Sequence, residues 1–161
     1  GSDDGRVHSS LDGGRSWSEI GAGLPRKWAS RLVASSFAMG RVYLTQNGKR
    51  DDDFTPYVWR SDDYGRTWKN IAAGIPLGPV NVIREDGSDP NTLFLGTDGA
   101  VFISRDGGGS WQALGGGLPA AYVHDLVVHP REQVIVIATH GRGMWALDAR
   151  PLAPAKAESE E

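Results

Sequence analysis

The octapeptide SLDGGRSW at residues 10–17 recurs as SDDYGRTW at residues 61–68 and as SRDGGGSW at residues 104–111. All three copies fit Ser-x-Asp-x-Gly-x-[Ser/Thr]-Trp, and we call this unit the Asp motif. Each copy is followed at the same offset by a Gly-[Leu/Ile]-Pro turn, at residues 23–25, 74–76 and 117–119. Because motif and turn recur together, the chain is a tandem repeat. The motif residues are Ser10, Asp12, Gly14, Trp17, Ser61, Asp63, Gly65, Trp68, Ser104, Asp106, Gly108 and Trp111.

A repeat of roughly 40–50 residues built from short strands is typical of one propeller blade. Alternation of apolar and polar residues predicts the strands. They lie at residues 31–37, 41–46, 57–61 and 68–71 in one repeat, and at 80–84, 92–96, 101–104 and 111–114 in the next. Partial blades are predicted at residues 6–10 and 17–20, and at 123–129, 134–139 and 144–147. The sequence therefore predicts an all-β fold over residues 3–150, a β-propeller segment of about three four-stranded antiparallel blades.

Composition excludes several classes of function. The formal net charge is −3 and no basic run exceeds Lys49-Arg50, which argues against a nucleic-acid partner. No apolar stretch approaches 18 residues, so no membrane span is expected. The absence of cysteine excludes disulfides, thiolate catalysis and cysteine-ligated zinc. Residues 151–161, which end in APAKAESEE, are predicted to be a disordered tail.

The chemistry of the Asp motif favours a structural role. Its aspartate is placed to accept backbone N–H groups within the turn. Its tryptophan offers a large apolar ring that can pack between blades while the indole N–H bonds a carbonyl. An aspartate in a tight turn can also act as a general acid or a calcium ligand. Three copies in register favour structure, because catalysis needs a unique site.

The motif resembles the Asp-box, or BNR, repeat of sialidases, sortilin-type receptor domains and xyloglucanase-like glycoside hydrolases. The resemblance covers residues 5–148. More narrowly, four stretches are similar to the last blades of large bacterial sortilin-like BNR proteins, which are often described as glycosyl hydrolases. These stretches are VNVIRED (80–86), the loop at 51–57, VHDLVVHPR (123–131) and THGRGMWALD (139–148). The resemblance implies Asp-box hairpins, a longer parent chain and a secreted bacterial location.

Catalytic residues cannot be assigned from the sequence. Sialidases that share this repeat use an arginine triad, a Tyr–Glu pair and an aspartic acid, but Glu19, Glu85 and Glu132 do not lie beside a tyrosine. No carboxylate pair with glycosidase spacing can be assigned either. The leading hypothesis is therefore a non-enzymatic scaffold or binding module. The alternative is part of a glycoside hydrolase or sialidase-like enzyme, and a third possibility is a chain without a ligand.

Blade topology predicts where a ligand would bind. In a four-stranded blade, the turn between the second and third strands shares a face with the links between blades, and the Asp motifs lie on the opposite face. Loops on a rigid scaffold carry function. The predicted ligand residues on this face are Asp51, Asp52, Asp53, Asp98, His140 and Arg142. The alternatives without a ligand are a solvated loop for the three aspartates and a structural turn for residues 140–143.

No metal site or cofactor is predicted. His124 and His129 are five residues apart on one predicted strand and should point to opposite faces. A protein, peptide or carbohydrate ligand is possible. The partial blades at the two ends are complementary, so we expect two chains to complete a six-bladed ring as a homodimer. The main rival is an open or locally self-paired monomer.

Overall fold

The chain was analysed as a computed structural model that describes residues 1–115 and 117–152. Residues 153–161 of the predicted tail therefore lie outside the described residues. Short 3-10 turns occur at Lys49–Asp51 and Arg150–Leu152. The strands are β1 (His8–Ser9), β2 (Ser18–Glu19), β3 (Trp28–Ala34), β4 (Val42–Asn47), β5 (Tyr57–Ser61), β6 (Lys69–Asn70), β7 (Val80–Glu85), β8 (Leu93–Thr97), β9 (Val101–Ser104), β10 (Gln112–Ala113), β11 (Tyr122–Val128), β12 (Val134–His140) and β13 (Met144–Asp148).

Within the described residues, the strands form four antiparallel sheets, each ordered along the chain. They are β1-β2, β3-β4-β5-β6, β7-β8-β9-β10 and β11-β12-β13, here called blades 1 to 4. This arrangement confirms the predicted all-β fold, with two complete blades flanked by a two-stranded and a three-stranded sheet. Sequential antiparallel pairing of this kind is what a propeller blade requires.

The start of blade 2 differs from the prediction. The sequence pattern predicts a strand at residues 31–37, whereas β3 spans Trp28–Ala34. Ser35 ends the strand, because its hydroxyl oxygen accepts the N–H groups of Phe37 at 3.1 Å and Ala38 at 3.2 Å. A β-bulge between Ala29 and Arg31 shifts the register and breaks the two-residue period that the prediction relies on.

An equivalent bulge occurs in the first strand of blades 2, 3 and 4, at Ser30, Asn81 and His124. The bulged residue connects its blade to the next one. Ser30 Oγ donates to the Val80 carbonyl at 2.9 Å, and Asn81 Nδ2 donates to the Val123 carbonyl at 3.1 Å. The first strands are therefore linked edge to edge along the chain by side chains that the bulge re-aims.

The apolar core lies between blades. One cluster joins blade 2 to blade 3 and includes Tyr43, Val58, Ile71, Leu95 and Trp111. A second cluster joins blade 3 to blade 4 and includes Phe94, Ile103, Val123, Leu126 and Ile137. Each blade is thus stabilised chiefly by its neighbours, as expected when repeats cannot bury their faces alone.

The aspartate of each Asp motif accepts its hydrogen bonds from residues of its own hairpin. Asp63 Oδ1 accepts the Ser61 hydroxyl at 2.8 Å and the Thr67 N–H at 2.9 Å, and Asp63 Oδ2 accepts the Thr67 hydroxyl at 2.6 Å. Asp12 and Asp106 accept the same three bonds. Hydrogen bonds from the Ser or Thr four residues on lower the pKa of all three carboxyls to about 2.

The apolar contacts of the motif reach one blade back. Trp68 Nε1 donates to the Ile20 carbonyl at 2.8 Å, and Trp111 Nε1 donates to the Ile71 carbonyl at 2.7 Å. The same isoleucine covers the motif glycine, since a Cβ on Gly108 would lie 2.6 Å from Ile71 Cδ1. We call this pair of contacts, indole to carbonyl and isoleucine to glycine, the blade lock.

Replacing Gly108 with alanine should weaken the lock between blades 2 and 3. The added methyl group collides with Ile71, and overpacking of this kind costs about 1–3 kcal/mol. Gly14→Ala is the matched control, because Gly14 has a similar φ of 88° against 93°, but a Cβ there would meet only Trp17 Cζ2, at an ordinary contact distance of 3.9 Å. Urea unfolding should show the larger loss of stability for Gly108→Ala. Equal losses would mean that backbone strain alone explains the glycine.

The Asp motifs should also make folding sensitive to acid. A carboxyl whose pKa is lower in the folded state stabilises the fold above its unfolded pKa, and this contribution is lost as pH falls through the folded pKa. The free energy of unfolding should therefore decline between about pH 5 and pH 2. Asp63→Asn should make this decline shallower. Thr67→Val should have an intermediate effect, because it removes the hydroxyl bond to Asp63 but keeps the bond from the Thr67 backbone N–H. Unchanged pH dependence in Asp63→Asn would contradict this.

Candidate functional site

The connectivity of the blades separates two faces. One face holds the turns at residues 48–56, 98–100 and 141–143 together with the links between blades, and we call it the loop face. The Asp motifs lie on the opposite face, at the other ends of the same strands. The six residues predicted to bind a ligand all belong to the loop face or adjoin its turns.

Asp51 and Asp53 are brought together by a cation from another part of the chain. Lys27 Nζ lies 3.0 Å from Asp51 Oδ2 and 3.3 Å from Asp53 Oδ2. Asp53 also accepts the Thr55 N–H at 3.0 Å and the Tyr57 hydroxyl at 2.8 Å. These bonds, led by the Thr55 N–H, hold the pKa of Asp53 well below its usual range. Asp52 takes a left-handed conformation with φ of 55° and is exposed.

Asp98 belongs to a second group, nearer the first strands. Lys49 Nζ lies 2.8 Å from Asp98 Oδ2, and Asn81 Nδ2 donates to Asp98 Oδ1 at 2.9 Å. The Tyr122 hydroxyl is 3.4 Å from Asn81 Oδ1. We call Lys49, Asn81, Asp98, Tyr122 and His140 the inner cluster. It joins blades 2, 3 and 4, because these residues come from three different sheets and their turns.

The Tyr122 ring is the centre of the inner cluster. His140 meets it edge to face and His124 lies nearly parallel to it, each with ring centroids 6.0 Å apart. Lys49 Nζ lies 5.3 Å from the ring centroid, close enough for a cation–π contact. Burial raises the pKa of the Tyr122 hydroxyl, so it is neutral and available as a hydrogen-bond donor.

The structure thus groups the predicted residues unevenly. Asp51 and Asp53 share Lys27, and Asp98 and His140 share the inner cluster, whereas Asp52 and Arg142 join neither set. Arg142 is exposed and forms no ion pair with a residue in the described part of the chain. Its carbonyl accepts the Trp145 indole at 3.0 Å, a contact that shapes the turn.

Sequence reasoning missed three residues of the inner cluster, Lys49, Asn81 and Tyr122. Asn81 and Tyr122 lie at the start of first strands, and such strand starts converge beside the loop face. Strand position therefore held the missing signal, but the prediction searched only the loops. Through Asp98, the cluster adjoins an open groove of about 360 Å³, which is also bordered by Leu77, Gly78, Thr97 and Phe102.

In residues 1–115 and 117–152, no group of three Asp, Glu or His side chains lies close enough together to hold a metal ion. In the same residues, no helix is long and apolar enough to cross a membrane.

Successive antiparallel blades joined edge to edge define this chain as a segment of a β-propeller. No protein-family model matches it. It is 30% identical to an oligoxyloglucan-reducing end-specific xyloglucanase of Emericella nidulans, over 68% of this chain and 13% of that protein. Among solved structures, it is similar to the GH74 xyloglucanase from Xanthomonas campestris, with a TM-score of 0.72 and 22% identity over 89% of this chain and 24% of the other.

A further solved structure, YCF48 bound to D1 peptide, matches with a TM-score of 0.66 and 17% identity, over 91% of this chain and 45% of the other. At these identities the structural matches show the fold alone. The chain spans between 13% and 45% of the length of these three proteins.

The Asp53 carboxyl should remain ionised throughout the ordinary pH range. In a carbon-detected NMR titration, we expect no inflection for Asp53 above about pH 3, because the Thr55 N–H and Tyr57 hydroxyl stabilise its charge. Tyr57→Phe should raise its pKa, and Lys27→Met should raise it less. An inflection above pH 5 in the unaltered protein would contradict this and would make Asp53 a candidate general acid.

Proposed function

We propose that the chain is a non-enzymatic carbohydrate-binding module, part of a longer secreted bacterial propeller protein with repeats of the Asp-box type. The observation that carries the proposal is the inner cluster, in which an aromatic ring is surrounded by an amide, a carboxylate and an imidazole beside an open groove. Sites for small ligands are typically partly apolar depressions into which a small number of polar groups point.

The groups of the inner cluster fit the surface of a sugar. The Tyr122 ring can pack against the apolar face of a pyranose. Asp98 offers an acceptor for its hydroxyl groups, and His140 can donate or accept. The buried Asn81 amide holds Asp98 in place by donating to its Oδ1 at 2.9 Å. The xyloglucanase relative supports this class of ligand. Its name also points to xyloglucan oligosaccharides as the first probes to use.

The carboxylates favour binding over hydrolysis. A glycosidase needs one carboxyl that stays protonated, which requires a raised pKa. Each Asp pKa shift resolved among the described residues is instead downward, for Asp4, Asp12, Asp53, Asp62, Asp63, Asp106 and Asp148. At the inner cluster, Asp98 forms an ion pair with Lys49 at 2.8 Å.

The alternative is that the chain forms part of a glycoside hydrolase or sialidase-like enzyme. The 30% identity to a xyloglucanase favours it. Because the match covers 13% of that protein, the acid pair would then come partly from blades outside this chain. The match to YCF48 bound to D1 peptide supports a peptide as a further ligand class.

Assembly of the chain into a six-bladed homodimer is also part of the proposal. Blade 1 has two strands and blade 4 has three, so each offers an incomplete sheet to a second copy. Joined directly they would supply five strands where a blade has four. One of the two third strands, β1 or β13, must therefore leave its sheet.

Titration with a xyloglucan oligosaccharide tests the binding proposal. Calorimetry should show binding by the unaltered protein, and Tyr122→Ala should raise the dissociation constant about tenfold or more, as expected for a central aromatic contact. Asp98→Asn, which keeps the side-chain shape, should also weaken binding. Tyr64→Ala is the control, because Tyr64 is exposed on the Asp-motif face.

The same samples separate the alternatives. Binding without release of reducing sugar supports the module, whereas release would support the hydrolase. Equal affinity of Tyr122→Ala and the unaltered protein, with both folded by circular dichroism, would refute the assignment of the site to the inner cluster. Absence of any carbohydrate binding would refute the proposal itself.

A further inference from the structure

Blade 4 contains an unfilled apolar cavity beside β13. The space in it that admits water-sized molecules is about 40 Å³, and its walls include Leu114, Gly115, Leu118, Ile137 and Trp145. Trp145 is 39% exposed there, although its position in the repeat is a core position. The cavity therefore presents apolar surface to solvent where the other blades are packed.

Comparison with the preceding pair of blades identifies what the cavity fits. Counted along the repeat, its five wall residues correspond to Ile71, Ala72, Ile75, Leu95 and Phe102. All five of those residues belong to one packed cluster together with Trp111. Trp111 is 8% exposed and donates to the Ile71 carbonyl. The cavity in blade 4 is thus the equivalent place for an Asp-motif tryptophan.

The Asp-motif tryptophan of blade 1 is not packed into another blade. Trp17 is 64% exposed, and its indole N–H donates at 3.2 Å to the Gly14 carbonyl of its own hairpin. Its two counterparts donate across to the preceding blade. Gly65 and Gly108 are covered by isoleucine side chains of the preceding blade, whereas Gly14 is approached only by the Trp17 ring of its own hairpin, 3.9 Å from the place of a Cβ. Within residues 1–115 and 117–152, Trp17 and the cavity of blade 4 are thus two halves of a blade lock that are not joined to a counterpart.

We propose that Trp17 of a second copy enters the cavity of blade 4. Its indole N–H donates to the Leu114 carbonyl, and the Leu114 side chain covers Gly14, as Ile71 covers Gly108 in the existing lock. Strand β2 then pairs with β13 as the fourth strand of blade 4. Two such contacts close a ring of two chains. This inference rests on the homodimer proposed above and names the contact that forms it.

Of the two strands that could leave their sheet, we expect β1 to leave, because its pairing is the shorter one. β1 pairs with β2 over two residue pairs, whereas β13 pairs with β12 over five. Releasing β1 from β2 therefore breaks fewer ladder bonds than displacing β13. The new β2–β13 pairing restores the ladder that β1 gives up, and it also covers the exposed side of β13.

Light scattering over a range of concentrations tests the contact. We expect a species of twice the 17.3 kDa chain mass for the unaltered protein. Trp17→Ala should raise the dissociation constant roughly thirtyfold or more, because buried tryptophans at the centre of an interface carry much of its binding energy. Met39→Ala is the control, since Met39 is 89% exposed and lies in the turn before β4.

A variant on the other side of the contact makes the test independent of Trp17. Gly115→Leu should fill the cavity without disturbing the fold, because a Cβ at Gly115 meets no atom within 4 Å. It should lose association to a similar degree. Mixing the two variants should restore one of the two contacts and so increase pairing, since Trp17→Ala keeps its cavity and Gly115→Leu keeps its tryptophan.

Two results would overturn the inference. One refutes only the Trp17 contact, and the other also refutes the homodimer. A dimer that neither variant weakens would refute the Trp17 contact while leaving the homodimer intact. An unaltered protein that stays at 17.3 kDa at every concentration would refute both. In that case the hairpin of a further blade in a longer chain is the remaining occupant for the cavity. Carbohydrate binding at the inner cluster is measured separately and does not depend on either outcome.

Discussion

The blade lock holds this architecture together. A tryptophan buries roughly 150–250 Å² of surface, which corresponds to about 4–6 kcal/mol as an upper limit, whereas its single indole hydrogen bond contributes about 1 kcal/mol. Burial therefore supplies most of the stabilisation, and the bond to the Ile71 or Ile20 carbonyl fixes the orientation of the ring. Because the lock crosses from one sheet to the next, no blade has a complete core without its neighbour.

The fold could be predicted because its signal is repeated. Three copies of the Asp motif, with their Gly-[Leu/Ile]-Pro turns, place the last hairpin of blades 1, 2 and 3, and the strands between them follow from alternation. The start of β3 could not be predicted in the same way. The bulge at Ser30 inserts an unpaired residue, and the Ser35 hydroxyl ends the strand through bonds that alternation does not record.

The site was only partly predictable, for a related reason. Topology placed the candidate residues on the loop face, but it could not say which carboxylates are neutralised. Lys27 reaches Asp51 and Asp53 from a link between blades, and Lys49 reaches Asp98 from a neighbouring blade. Tyr122 contacts the rings of His124, from its own strand, and His140, which becomes its neighbour only through the register of β11 and β12.

The Asp motif has an asymmetry that bears on how such a chain acquires its structure during synthesis. Its polar bonds close within eight residues, whereas its indole and glycine contacts point only toward the preceding blade. Each newly made repeat therefore completes the core of the repeat made before it. During synthesis, the core of a repeat is therefore completed only after the next repeat has left the ribosome.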